Sequence, residues 1–260
     1  MDYSAVVNED DAHLLATHIA ACSAFPAAVK CAIELNLFEL MKQLAGFVSA
    51  SELAAKVAPA NSEAHLMIDR ILRLLASYSV VKCRHTNNER HYSLGPVCEF
   101  FTDNQDGASL APLFLLMHAN LYQTSWGKLK DSIVEGGVPF NKAHGMSLYE
   151  HSALNPKSNK LFFDAMSDNS TILMKKIVAT YNGFEGLNSI VDVGGGIGST
   201  TNMIVSRYPM IKGINFDLLH VIQHAPSYSG KLHMYLLSLV FLIYFITYLE
   251  RDQQYIYLLR

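Results

Sequence analysis

The chain has 260 residues, of which half are apolar and 17% are charged. That composition is enough to bury a core in one large domain or in two ordinary ones, and it excludes bulk disorder. A formal net charge of −3 gives no electrostatic basis for binding nucleic acid.

The cysteines and the first residues indicate the compartment. Cys22, Cys31, Cys83 and Cys98 form no C-x-x-C pair, and no histidines cluster at ligand spacing. Free thiols in a reducing compartment are therefore favoured over disulfides or a zinc site, and no metal is expected. The polar, acidic segment 1–11 lacks the basic and apolar regions of a signal peptide, so we expect a cytoplasmic protein.

Residues 1–110 are predicted to form a helical domain that ends in a hairpin. Apolar residues recur at helical spacing, Ser49 and Glu52 form a capping-box pattern, and two short strands flank the polar turn 86–89. Two short helices and a hairpin make a winged helix-turn-helix. Such a shape binds DNA or serves as a packing and dimerisation module. With only Arg70 and Arg73 as cations on its second helix, dimerisation is favoured.

A second helical segment is predicted over residues 111–185. It contains the single tryptophan, Trp126, and is interrupted by a loop at 136–140 that carries two glycines and a proline.

Residues 186–230 have the pattern of a βαβ unit with a glycine loop. The β-branched run 189–193 suits a buried parallel strand, the loop 192–198 reads Asp-Val-Gly-Gly-Gly-Ile-Gly, a helix follows, and a second strand ends at Asp217. Open α/β sheets bind ligands where such a loop leaves the carboxyl end of a strand.

The spacing of the loop distinguishes between cofactors. Dinucleotide enzymes favour G-x-G-x-x-G, whereas here Asp192 precedes Gly194, Gly196 and Gly198 at alternate positions. S-adenosylmethionine carries cationic ammonium and sulfonium groups, so an acid near the loop fits it, and Asp217 can accept both ribose hydroxyls. The pattern favours S-adenosylmethionine over an NAD site or a glycine-rich turn without a ligand.

Four longer motifs resemble the plant caffeic acid O-methyltransferases, which are S-adenosylmethionine-dependent enzymes. These motifs are residues 136–143, 166–168, 181–187 and 213–218. The resemblance runs from about Asp10 to Gly230. It implies an α/β protein in which a winged-helix dimerisation domain precedes a Rossmann-like methyltransferase domain, and methyl transfer to a phenolic, caffeic acid-type substrate of the phenylpropanoid class.

The resemblance also assigns roles to residues. It implies that Gly194 and Asp217 contact the cofactor, and that Phe162 and Met166 line the phenolic pocket, although helical spacing alone is equally typical of plain core residues. Family members continue well past Gly230, and the general-base histidine lies in that further part. No catalytic residue is therefore assigned within this chain. The alternative function is a non-catalytic partner that dimerises with a full-length relative.

Residues 231–260 do not match the family pattern. Leu232–Leu249 is an apolar run that as a helix would span about 27 Å, borderline for a bilayer core of about 30 Å. Its tyrosines and weak cationic flanks argue against a membrane anchor, and the abrupt change favours a retained intron or a gene-model error. We expect the two remaining strands to form only a marginal sheet, and the chain alone to be inactive and prone to aggregation.

Overall fold

The computed structural model describes residues 9–223, 225–228, 230, 232–236 and 255–259. The chain divides into two compact units, Met1–Ala165 and Met166–Arg260. As predicted from the sequence, the chain is an α/β protein whose N-terminal part is mainly helical.

The first unit starts with five helices, of which the second to the fifth enclose one apolar core and the first is exposed. They are α1 (Glu9–Ala21), α2 (Ala24–Glu34), α3 (Leu37–Leu44), α4 (Ala50–Val57) and α5 (Ala64–Ser77). The predicted capping box is present, because Ser49 Oγ accepts from the Glu52 N–H and the Glu52 carboxylate accepts from the Ser49 N–H. Leu53, Leu72 and Leu75 are completely buried in the core between these helices.

The predicted wing forms a small antiparallel sheet. Its strands are β1 (Val48–Ser49), β2 (Val81–Thr86) and β3 (Glu89–Leu94), in the order β1-β3-β2. Asn87 and Asn88 both have positive φ, at 50° and 64°. Asparagine tolerates this left-handed conformation, and two such residues make the two-residue turn whose twist matches a hairpin.

An ion-pair network joins α5 to the wing. Asp69 accepts from Arg90 Nε at 2.9 Å, from Arg90 Nη2 at 2.6 Å and from the Tyr92 hydroxyl at 2.7 Å. The hydrogen bonds from Arg90 hold the pKa of the Asp69 carboxyl below its ordinary value of 3.8. Burial and the Asp69 charge raise the pKa of Tyr92. The network fixes the hairpin against the helix.

Five short helices and one long helix follow, as predicted for residues 111–185. They are α6 (Ala111–Met117), α7 (Asn120–Trp126), α8 (Leu129–Glu135), α9 (Pro139–His144), α10 (Leu148–Leu154) and α11 (Pro156–Thr180). Gly136 and Gly137 have φ of 77° and 87° and separate α8 from α9. His144 Nε2 lies 2.9 Å from the Leu121 carbonyl and 3.2 Å from Ser125 Oγ, which joins α9 to α7.

The second unit contains a four-stranded parallel sheet. The unit consists, after α11, of β4 (Ser189–Val193), α12 (Ser199–Arg207), β5 (Lys212–Asp217), α13 (Leu219–Ile222), β6 (Leu232–Leu236) and β7 (Tyr255–Leu259). The strand order is β6-β5-β4-β7. Every residue of β4 is buried, as the β-branched run predicts.

The two outer strands differ from the sequence expectation. The run after Gly230 was expected to lie outside the sheet, but Leu232–Leu236 pairs with β5 and Tyr255–Leu259 pairs with β4. The physical reason is that both edges of a two-stranded sheet have unpaired N–H and C=O groups, and β-prone apolar segments satisfy them. The remainder of the apolar run, residues 237–249, lies outside the described residues.

Within the described ranges, no single helix combines the length and the apolar character needed to cross a membrane. One bent pair, Asp11–Ala21 with Ala24–Glu34, meets the same test on length and composition when both halves are taken together across a 48° bend.

Candidate functional site at the glycine loop

The glycine loop joins the carboxyl end of β4 to α12, at the position that the sequence predicts. Gly194, Gly196 and Gly198 have φ of 79°, 63° and 85°, which other residues rarely adopt. The Gly194 N–H donates to the carbonyl of Phe216 on β5 at 2.8 Å. The loop is therefore connected to the neighbouring strand as well as to the strand that leads into it.

The underside of the loop rests on buried polar side chains. A Cβ added to Gly195 would lie 2.1 Å from Asn215 Oδ1 and 2.6 Å from Asp192 Cγ, so only glycine fits there. Asp192 is fully buried, and its Oδ2 accepts from Thr201 Oγ1 on α12 at 3.1 Å. Sequence reasoning predicts Asp192 as a contact for the cationic cofactor, whereas the structure places its carboxylate beneath Gly195.

Asp217 lies at the end of β5 with its carboxylate fixed by backbone groups. Its Oδ2 accepts from the Gly196 N–H at 2.7 Å and its Oδ1 accepts from the Leu218 N–H at 2.7 Å. The side chain is half-buried, and each carboxylate oxygen retains capacity to accept a further hydrogen bond. The structure thus places two predicted site residues, Gly196 and Asp217, in direct contact.

Residues that follow β5 surround the start of α12. A Cβ on Gly198 would lie 3.0 Å from Met234 Sδ, 3.2 Å from Leu232 Cδ2 and 3.4 Å from Tyr228 Cε2. The Tyr228 hydroxyl is 3.4 Å from Ser199 Oγ, the first residue of α12. Strand β6 therefore contributes side chains next to the loop.

The two residues predicted to contact the substrate lie on α11. Phe162 and Met166 are half-buried and stand four residues apart, so they share one face of that helix. Phe162 belongs to the first unit and Met166 to the second. Their role in substrate binding stays a prediction.

Sequence reasoning missed Asn215 and Thr201. Both are fully buried, and both contact the loop or its supporting carboxylate. A signal for Asn215 was present, because an amide at the centre of an otherwise apolar strand is unfavourable unless it has a specific partner.

Comparison with protein-family models identifies the class of protein to which this fold and glycine loop belong. Residues 17–104 match an O-methyltransferase dimerisation domain, and residues 126–235 match an O-methyltransferase domain. The second match ends at residue 235, which is five residues beyond the boundary expected from the sequence and one residue before the end of β6. The chain thus has the two-domain organisation of O-methyltransferases.

Curated relatives narrow the class to one family. The chain is 50% identical over 234 residues to caffeic acid 3-O-methyltransferase 2 of Ocimum basilicum, covering 87% of this chain and 65% of the relative. It is 52% identical over 233 residues to caffeic acid 3-O-methyltransferase of Catharanthus roseus, and 51% identical to esculetin O-methyltransferase of Kitagawia praeruptora, with 87% of this chain and 64% of each relative covered. The chain belongs to the plant caffeic acid O-methyltransferase family, and it spans about 65% of the length of these relatives.

Solved structures share the fold at low sequence identity. Human N-acetylserotonin methyltransferase, solved in complex with SAM, superposes with a TM-score of 0.75 at 20% identity, over 92% of this chain and 68% of that chain. CalO1, a methyltransferase of calicheamicin biosynthesis solved in its SAH-bound form, gives a TM-score of 0.72 at 19% identity, over 89% and 67%. These likenesses establish the fold alone.

Proposed function

We propose that this chain binds S-adenosylmethionine at the glycine loop. The observation that carries the proposal is the hydrogen bond between the loop and β5. In it, the Gly196 N–H holds the Asp217 carboxylate at the carboxyl edge of the sheet. A carboxylate fixed there can accept two vicinal ribose hydroxyls, and a loop of glycines lets the aminoacyl part approach the backbone. Solved neighbours of this fold carry SAM or SAH.

The reaction proposed for the family fold is methyl transfer to a phenolic hydroxyl of a caffeic acid-type substrate. A phenol titrates near pH 10, so transfer at neutral pH requires a positioned general base. The resemblance places that histidine in the part of the family that this chain does not span. We therefore propose that cofactor binding and turnover are separable, and that this chain binds the cofactor without transferring the methyl group alone.

A second candidate function is that of a dimerisation partner for a full-length relative. Residues 17–104 match the dimerisation domain. Leu14, Leu15 and Ile19 of α1 expose 67%, 51% and 62% of their surfaces, so α1 presents an apolar face. Such a face is typical of an interaction surface. Pairing would let this chain modulate a catalytic subunit.

Calorimetric titration with S-adenosylhomocysteine tests the cofactor proposal. Wild-type protein should bind, whereas Asp217→Asn should weaken binding by at least about tenfold, because a neutral amide accepts the ribose hydroxyls poorly. Gly195→Ala should abolish binding, because its Cβ would overlap Asn215 and Asp192. Gly127→Ala, at an ordinary helical φ of −61°, is the control and should bind like wild type. Equal affinity in all four proteins would contradict the proposal.

A mixing experiment separates the two functions. The chain is incubated with caffeic acid and S-adenosylmethionine, alone and with a full-length caffeic acid O-methyltransferase, and methylated product is measured. We expect no product from the chain alone and a change in the rate of the full-length enzyme on mixing. Turnover by the chain alone would refute the separation of binding from catalysis, and an unchanged rate without co-elution would refute the partner function.

A further inference from the structure

The peptide of Gly196 is held at both of its polar groups by side chains of β5. Its N–H donates to Asp217 Oδ2 at 2.7 Å, and its carbonyl accepts from Asn215 Nδ2 at 3.0 Å. Asn215 and Asp217 are two residues apart on one strand and therefore face the same side of the sheet. A single peptide of the loop thus connects the two side chains.

Asn215 is placed to hold the loop and is not accessible to a ligand. The residue is fully buried, and its Oδ1 lies directly beneath Gly195 without a hydrogen-bond partner among the described residues. A buried amide oxygen without a partner is unfavourable for folding. The position is therefore poorly explained by stability, and the hydrogen bond to Gly196 is the specific interaction that the amide makes.

We propose that Asn215 is a positioning residue that sets the affinity for the cofactor by fixing the Gly196 peptide and, through it, the orientation of Asp217. The inference rests on the proposed function, since it takes the ribose of S-adenosylmethionine as the group that Asp217 accepts. If the carbonyl of Gly196 is released, its peptide can rotate and its N–H no longer holds Asp217 Oδ2. The carboxylate then samples orientations that do not match the two hydroxyls.

Two substitutions remove the hydrogen bond in different ways. Asn215→Leu keeps the branched shape of the side chain and lacks the donor. Asn215→Asp keeps the shape and replaces the donating NH2 group with an acceptor that faces the Gly196 carbonyl. Ser189→Ala is the matched control, because Ser189 is a buried polar residue of β4 at the opposite end of the same sheet.

Hydrogen–deuterium exchange of the unliganded full-length chain tests directly whether Asn215 holds the loop. Peptides that cover residues 193–199 should exchange about tenfold faster in Asn215→Leu and Asn215→Asp than in wild type, the change expected when one hydrogen bond is lost. The Ser189→Ala protein should leave the loop unchanged. Unchanged loop exchange in both Asn215 variants would overturn the proposal, whether or not the protein binds the cofactor.

A double-mutant cycle with S-adenosylhomocysteine tests the consequence for binding. Asn215→Leu should weaken binding about tenfold in the wild-type background and have little further effect in the Asp217→Asn background, because both changes act through the same carboxylate. Independent, additive losses would show that Asn215 merely supports the fold and would overturn the positioning role. Failure of wild-type protein to bind would instead overturn the proposed function, and the exchange experiment would still decide whether Asn215 holds the loop.

Discussion

The two units of the chain use buried polar residues in opposite ways. In the first unit, Ser49 is buried as a helix cap, and the charged network around Asp69 lies near the surface, where each partner is satisfied. In the second unit, Asp192, Thr201 and Asn215 are fully buried under one loop. The first arrangement stabilises a scaffold, whereas the second arranges a loop at the expense of stability.

Buried polar side chains that cap no helix indicate where function can be sought. The cap hydrogen bonds of Ser49 and Ser147 satisfy backbone N–H groups that every helix leaves unpaired at its start. Buried carboxylate and amide groups concentrated at the carboxyl edge of a parallel sheet require a different explanation, because desolvating them is costly. In this chain, the cofactor site proposed at the glycine loop supplies that explanation.

The largest effect is expected from a cavity in the core of the first unit. Leu72→Ala should lower the free energy of unfolding of the first unit by about 2–5 kcal/mol, because Leu72 is fully buried. Trp126, the single tryptophan, belongs to the first unit and reports its urea unfolding by fluorescence. Leu66→Ala, at a residue 54% exposed on the same helix, should have little effect. Loss of S-adenosylhomocysteine binding in parallel with the fluorescence change would contradict independent unfolding of the two units.

Removal of the Asp69 charge should have the next largest effect. Asp69→Asn breaks the paired hydrogen bonds from Arg90 and should cost about 1–3 kcal/mol at neutral pH. Because the folded-state pKa of Asp69 lies below its ordinary value, the stabilisation is complete above pH 4 and is lost as the pH falls through the lowered pKa. The difference between wild type and variant in urea unfolding should therefore shrink in acid.

A matched control accompanies that measurement. Asp131→Asn disrupts the exposed pair with Lys128 and should leave the unfolding midpoint of the first unit unchanged. A pH-independent effect of Asp69→Asn would show that its charge does not stabilise the wing.

The capping box should contribute less than the Asp69 network. Ser49→Ala removes the acceptor for the Glu52 N–H and should lower the free energy of unfolding by about 1 kcal/mol. The variant is compared by thermal unfolding with Ser51→Ala, an exposed change on the same helix. Equal shifts of the melting temperature in the two variants would show that the cap does not stabilise this unit.

The smallest effect is expected at the edge of the second sheet. Tyr235 lies on β6 with its ring 5.5 Å from that of Phe216, stacked at 30°. Tyr235→Ala should destabilise the edge by about 0.5–1 kcal/mol, measured as faster hydrogen–deuterium exchange of β5. Leu236→Ala, also exposed on β6, serves as the control. No difference between the two would show that the stacked rings do not hold β6 in place.

Local signals made much of the fold predictable. The Ser49–Glu52 cap, the Asn87–Asn88 turn and the glycine loop each depend on a few adjacent residues, and the structure contains all three. The outer strands β6 and β7 could not be predicted in this way. An apolar run suits a strand or a membrane helix equally, and only pairing with a distant strand decides between them.

The candidate site was predictable to the same degree. Alternating glycines and a strand-terminal acid identify Gly196 and Asp217, and the structure places the two in contact. Burial of Asp192 beneath Gly195 and the bond from Asn215 were not predictable, because both depend on how two strands align. The register of β4 and β5 pairs Asp192 with Asn215 and so places both side chains under the loop.

The strand order has a consequence for synthesis of the chain on the ribosome. Strand β4 is complete at Val193, but its second neighbour, β7, begins only at Tyr255. At roughly 5–20 residues per second, translation of the intervening sixty or so residues takes about 3–12 s. During that interval β4, every residue of which is buried in the folded protein, has an open edge, which is a binding site for chaperones and a starting point for aggregation. The order in which the strands emerge, as well as their final packing, therefore affects how much of this protein a cell retains.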